Sequence, residues 1–262
     1  MGTFGTLVGA GGGFILVPIL LLLYPDGDPE TLTAMSLFVV WANATSGSLA
    51  YGYQKRIEFR SGGWFAQATL PGAIAGAIVV GYIPRRMFDA IFATVLIGLG
   101  LFLALRAASN QIYPPVQGWS VVRRLVTDRE GNTYAYSFQM WRGIVISAVV
   151  GFVSSLLGIG GGVMHVPMMA TVLHFPVHIA AATSQFVLGF MAAEGTAVHF
   201  ATGTLSFDRS FAQAVLLAIG AVGGAQAGAR LSRRVHSVAI LRALAVGLII
   251  VGARLALKAA TG

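Results

Sequence analysis

Residues 158–167 read GIGGGVMHVP and lie inside a long apolar run, with Gly158, Gly160, Gly161 and Gly162 closely spaced. Each glycine in a helix interior is worse than alanine by about 1 kcal/mol, so a helix-forming apolar segment should avoid them. Residues 9–18, GAGGGFILVP, repeat the pattern near the start of the chain. A helix-breaking feature that occurs twice at matching places marks an organising element of the fold.

The surroundings say what kind of fold. Of the 262 residues 56% are hydrophobic and only 10% are charged, and the mean hydropathy is +0.79. Soluble domains carry about a quarter charged residues, so the chain reads as an integral membrane protein. Apolar stretches near the ~20 residues that cross a bilayer as helix recur along it, and no alternating barrel pattern appears. Helical segments are expected at about residues 1–23, 31–53, 63–82, 87–105, 142–173, 178–202, 209–229 and 236–258. There is no cysteine, which excludes disulfides, thiolate metal sites and cysteine nucleophiles. The net charge of +8 comes from Lys and Arg in loops and at helix ends, a topology signal rather than a nucleic-acid surface.

The chain is also repeated on itself. A shift of 149 places Gly9, Gly11, Gly12, Gly13, Val17 and Pro18 on Gly158, Gly160, Gly161, Gly162, Val166 and Pro167. A shift of 148 places Ala34, Ser36, Phe38 and Gly47 on Ala182, Ser184, Phe186 and Gly195, and residues 72–86 on 220–234. The reading is a first transmembrane repeat over 1–105, a linker over 106–141 with a β-hairpin around Asp128–Asn132, and a second repeat over 142–262. Duplicated halves with interrupted helices at corresponding positions are the arrangement of secondary transporters, with the site where the repeats meet. The first arm is short, since Met1 precedes its glycine run by about eight residues and Arg142 precedes the second by about sixteen, as if the start were trimmed; it has no basic region or cleavage site of a signal peptide.

Residues 142–173 would span about 48 Å as one straight helix, more than the ~30 Å hydrocarbon core. Two shorter helices meeting at the glycines fit better, and broken backbone at membrane depth survives only where protein or a water-filled cavity covers it. Each restarting helix offers unpaired amides and the positive end of its dipole, so Gly11, Gly12, Gly13, Gly160, Gly161 and Gly162 are candidate lining for an anion site. The fold class expected is an all-α polytopic membrane protein of two repeats, each a Gly-interrupted helix or re-entrant hairpin plus three transmembrane helices. If the glycine segments return to their own side the halves are inverted; if they cross, the halves are parallel. Length favours inversion, and either case puts the 106–141 linker on the Lys/Arg-rich, cytoplasmic side.

Of the nine acidic residues, eight (Asp26, Asp28, Glu30, Glu58, Asp89, Asp128, Glu130, Asp208) lie in loops or near segment ends. Glu194 alone sits within an apolar helix, which makes it the candidate proton-coupling residue. Thr183 shares a helical face with it, and Ser36, Asn43 and Ser46 form a polar stripe on the matching segment; neutral donors of this kind suit an oxyanion. Gln185, His165 and His199 complete the candidate substrate-binding set. No dinucleotide fingerprint, phosphate loop or zinc helix is present, so neither a cofactor nor an enzymatic activity is expected.

The repeated Gly-x-Gly-Gly-Gly followed by Val-Pro (Gly9 to Pro18, Gly158 to Pro167), the two four-segment halves and the basic linker resemble the sulfite exporter family, TauE/SafE, also called the toluene sulfonate uptake permeases. The resemblance covers essentially the whole chain. It implies a multi-pass transporter of the bacterial or archaeal inner membrane that moves a small sulfur-containing or organic anion, such as sulfite, sulfoacetate or another sulfonate, driven by an ion gradient (H+ or Na+) or the anion's own. Membrane lipid and the small anion are then its partners, with no nucleic acid; the alternatives are an anion channel and, ranked below it, a membrane-embedded enzyme. The sequence leaves cargo, direction and oligomeric state open.

Overall fold

The computed structural model describes residues 1–24, 27–107, 119–232 and 237–261. Asp26, part of the expected linker (108–118), and Arg233 and Arg234 lie outside the described residues. Among the described residues ten α-helices run in the order α1 (Gly2–Val8), α2 (Gly13–Leu23), α3 (Pro29–Tyr53), α4 (Phe59–Val79), α5 (Arg85–Ala107), α6 (Met140–Leu157), α7 (Gly162–Thr171), α8 (Val177–Ala201), α9 (Arg209–Leu231) and α10 (Ser237–Thr261). The only described strands, β1 (Val121–Thr127) and β2 (Thr133–Gln139), pair antiparallel with Thr127 opposite Thr133. Among the described residues the fold is all-α apart from this hairpin.

Local chemistry starts and stops the helices. Asp28 caps α3 by accepting from the Thr31 amide, with Pro29 in the first turn; Glu58 caps α4 through the Arg60 and Ser61 amides; Asp208 caps α9 through the Phe211 amide. The glycines break α1 from α2 and α6 from α7. Gly9, Gly11, Gly12, Gly158 and Gly160 all have φ between 65° and 83°, the left-handed conformation that only glycine adopts at low cost. Leu173, just past α7, lies against Gly143 near the start of α6. The α6–α7 segment therefore turns back toward the side from which it enters.

Four described helices are long and apolar enough to cross a membrane, those spanning Phe59–Tyr82, Arg85–Leu105, Met140–Leu157 and Arg209–Leu231. They expose large apolar side chains such as Leu70, Ile78, Leu101, Val149, Leu216 and Ile219, as lipid contact requires. Helices α3 and α8 are as long but carry Thr33, Ser36, Asn43, Thr183, Ser184, Gln185 and His199, all buried. Protein rather than lipid surrounds those side chains, which is how polar groups are tolerated at membrane depth.

Helices α3 and α8 pack antiparallel through the middle, with Leu37 against Gly195, Ala44 against Gly189 and Gln185 against Gly47. Helices α5 and α10 are also antiparallel, Gly100 meeting Ile249 and Gly252 meeting Ile97. Helix α4 runs parallel to α6, where Gly72 and Gly76 meet the backbone of Ala148 and Phe152; α9 runs parallel to α1, where Gly224 and Gly228 meet the backbone of Gly2 and Thr3. Small residues let these backbones approach in the absence of a hydrophobic driving force.

Candidate functional site

The two glycine turns meet each other at the centre. A Cβ on Gly13 would lie 2.5 Å from the Ile159 carbonyl oxygen, and one on Gly162 would collide with that of Gly9. Each helix N-terminus thus faces carbonyls at the end of the other segment, a favourable match of dipole ends. The pocket expected between two N-termini is closed by backbone in this state, and Gly11, Gly12, Gly13, Gly160, Gly161 and Gly162 are all buried.

Two hydroxyls hold the turns from opposite sides. Ser36 on α3 donates to the Gly158 carbonyl at 2.7 Å, and Ser184 on α8 donates to the Gly9 carbonyl at 3.2 Å. Between them Val40 and Leu188, both buried, touch Gly11 and Gly160 alike. The centre is therefore an apolar constriction with a glycine turn on either flank.

A buried polar cluster lies beside the first turn. The Asn43 side-chain amide donates to Thr6 Oγ1 at 3.0 Å, Gln185 donates to the same oxygen at 3.2 Å, and Tyr51 donates to the Thr6 carbonyl at 2.8 Å. Asn43 Oδ1 and Gln185 Oε1 are buried with no hydrogen-bond partner. Because the Thr6 hydroxyl can donate as well as accept, rotating either amide by half a turn keeps a bond to Thr6 and frees an NH2 group for an anion.

The other candidates are dispersed. Ser46 ties α3 to α9, donating to the Val222 carbonyl and accepting from Gln226. Thr183 accepts from the Glu58 amide at the start of α4. His165 is buried with Nε2 2.9 Å from Ser147 Oγ and its ring edge-on to Phe65. His199 is buried 3.9 Å from Glu30, whose carboxylate accepts from Thr204. Glu194 is half-buried with Oε2 unbonded, about 100° around α8 from Gly195, the residue next to it on the face toward α3. Thr6, Tyr51 and Ser184 were not among the sequence candidates. The repeat register that pairs Ser36 with Ser184 would have found one of them.

The hairpin docks on the loop between α3 and α4. Arg56 pairs with Asp128 at 3.3 Å with both side chains buried, Arg124 pairs with Glu58 at 3.3 Å, and the Arg129 guanidinium stacks 3.9 Å over the Tyr53 ring. Burial alone would raise the Asp128 carboxyl, but hydrogen bonds from Asn132, the Glu130 amide and Arg56 outweigh it and hold the group below the usual aspartate value. An apolar groove of about 640 Å3, lined by Trp41, Leu49, Tyr53, Phe186 and Phe190 among others, runs along the flank of α3 and α8 away from the glycine turns.

Comparison with known proteins adds the following. Residues 1–255 match the family model described as sulfite exporter TauE/SafE. The chain is 33% identical over 260 residues to the "Probable membrane transporter protein YunE" of Bacillus subtilis, covering 97% of this chain and 93% of that one. It is 27% identical over 216 residues to a probable membrane transporter protein of Methanocaldococcus jannaschii, covering 78% and 70%. No solved structure matches.

Proposed function

The chain belongs to the sulfite exporter TauE/SafE family, and on that basis we propose that it is a secondary transporter moving a small sulfur-containing or organic anion, such as sulfite, sulfoacetate or another sulfonate, across the bacterial or archaeal inner membrane. The observation that carries the proposal is the buried cluster of Thr6, Asn43 and Gln185 beside the joined glycine turns, where the two amide oxygens have no hydrogen-bond partner. Neutral donors in a low-dielectric setting hold an oxyanion without trapping it as a fixed cation would. The joined turns form the cluster's inner wall, and Ser36 and Ser184 set their position.

The antiparallel pairing of α3 with α8 and of α5 with α10 supports an inverted arrangement of two repeats, 1–105 and 142–262, joined by a cytoplasmic linker over 106–141. Coupling to an ion gradient is assigned to Glu194, whose unbonded carboxylate oxygen in an apolar helix is suited to carry a proton.

The purified protein in liposomes is expected to take up sulfite or sulfoacetate saturably, faster under an imposed pH gradient, with acetate and taurine as discriminating cargo. Glu194→Gln is expected to abolish the response to the gradient while leaving saturable uptake. Non-saturable flux would point to a channel, and no flux of any cargo from folded protein would sink the proposal.

A further inference from the structure

The two halves match beyond the turns themselves. The repeat register pairs Thr6 with Ser155, Gly47 with Gly195, Gln185 with Leu37 and Tyr51 with His199. In space, a Cβ on Gly47 would meet Thr6 and Gln185, and a Cβ on Gly195 would lie 2.8 Å from Ser155 Oγ and 2.9 Å from Leu37. The surroundings of the Thr6 cluster thus recur around Ser155. Because α3 and α8 are antiparallel, the two places lie on opposite sides of the Val40–Leu188 constriction. Tyr51 is two residues from Tyr53, on which the hairpin rests, whereas His199 neighbours Glu30 at the other end of α3.

The second place is rich in polar atoms that bond to nothing. Thr33 Oγ1, Ser154 Oγ, Ser155 Oγ, Thr196 Oγ1 and both ring nitrogens of His199 are buried without a hydrogen-bond partner. Folded proteins satisfy nearly all buried polar groups, with ordered water where protein groups do not reach, and hydrocarbon offers none. Gly161, in the second turn, sits 3.7 Å from Ser154 Oγ at its notional Cβ, and Gly158 abuts the backbone and methyl of Thr33, so both residues border the second turn as Thr6 borders the first.

We propose that Thr33, Ser154, Ser155, Thr196 and His199 form a second hydrated subsite for a small oxyanion, on the side of the apolar constriction away from the hairpin. Anion cargo then passes between two chambers in series, each walled by one glycine turn, with Val40 and Leu188 between them. The identity of the occupant as an anion rests on the transporter reading above; the existence of the chamber rests on the unsatisfied atoms.

The chain contains no cysteine, so single-cysteine variants report accessibility without background. In sealed vesicles of known orientation, Ser155→Cys and, as a second position, Thr196→Cys are treated with the membrane-impermeant anion 2-sulfonatoethyl methanethiosulfonate, with Thr6→Cys for the first chamber. Labelling of Ser155→Cys or Thr196→Cys from the side opposite the hairpin, of Thr6→Cys from the hairpin side, and loss of labelling with sulfoacetate present are expected. Folded Ser155→Cys and Thr196→Cys proteins that resist the reagent, or that react only from the hairpin side, overturn the second chamber. Retained sulfoacetate uptake with no labelling would leave the transporter reading intact and remove the chamber. Far-side labelling without anion protection or uptake would keep the chamber and remove the anion reading.

Discussion

Within one glycine run the residues differ in what they can tolerate. Gly162 faces the Gly9 carbonyl, which is backbone and cannot swing away, so Gly162→Ala must push the two turns apart. Gly161 has an ordinary helical φ of −55°, and the nearest atoms a Cβ there would meet belong to side chains, Met191 and Val150 at 3.1 Å and Ser154 Oγ at 3.7 Å. Overpacking a close contact costs about 1–3 kcal/mol, whereas flexible side chains yield for less. Gly162→Ala is therefore expected to lower the thermal unfolding midpoint in detergent markedly, and Gly161→Ala to leave it nearly unchanged. Equal effects in the melting curves would show that the turns do not meet as described.

Among the elements, the β1–β2 hairpin is held by ionic contacts to the α3–α4 loop and by Tyr136 and Phe138, which pack against Phe175 and Phe65. The Asp128 carboxyl is depressed in the docked state, so its contribution is fully present above the ordinary aspartate value, near 4, and is lost as pH falls through its lower docked value. Backbone amides of β1 and β2 are expected to keep their hydrogen-exchange protection at neutral pH and lose it progressively on acidification below about pH 4. Asp128→Asn should be less protected at neutral pH and lack that acid transition. A protection profile identical in the two proteins would remove the Arg56–Asp128 pair from any role in docking.

The whole molecule is organised about one point, where Val40, Leu188, Gly11 and Gly160 meet. Residues 40 and 188 are 148 apart and residues 11 and 160 are 149 apart, the offsets at which the two halves of the sequence look alike. Trimming both side chains, Val40→Ala with Leu188→Ala, removes the apolar plug without adding a polar group. The double variant is expected to pass anions down their gradient with weaker dependence on the pH gradient, read as increased passive efflux from preloaded liposomes. Unchanged efflux from a folded double variant would mean that the constriction lies elsewhere.

The membrane class and the break points are legible in the sequence, because those depend on local composition: apolar length sets the spans, and glycine sets where a helix must stop. The repeat register also foreshadowed which residues would be counterparts, Ser36 with Ser184 above all. What the polar residues bond to depends on packing between elements. Ser46, Thr183 and His165 find partners on other elements, while Thr6, on a helix of seven residues, becomes the centre of a buried hydrogen-bonded cluster. Helical spacing cannot anticipate this, since a face shared along one helix says nothing of the backbone carbonyl or hydroxyl that another helix brings to it. Those partners are 18 to 180 residues away in sequence, and only the packing of the helices against one another chooses among them.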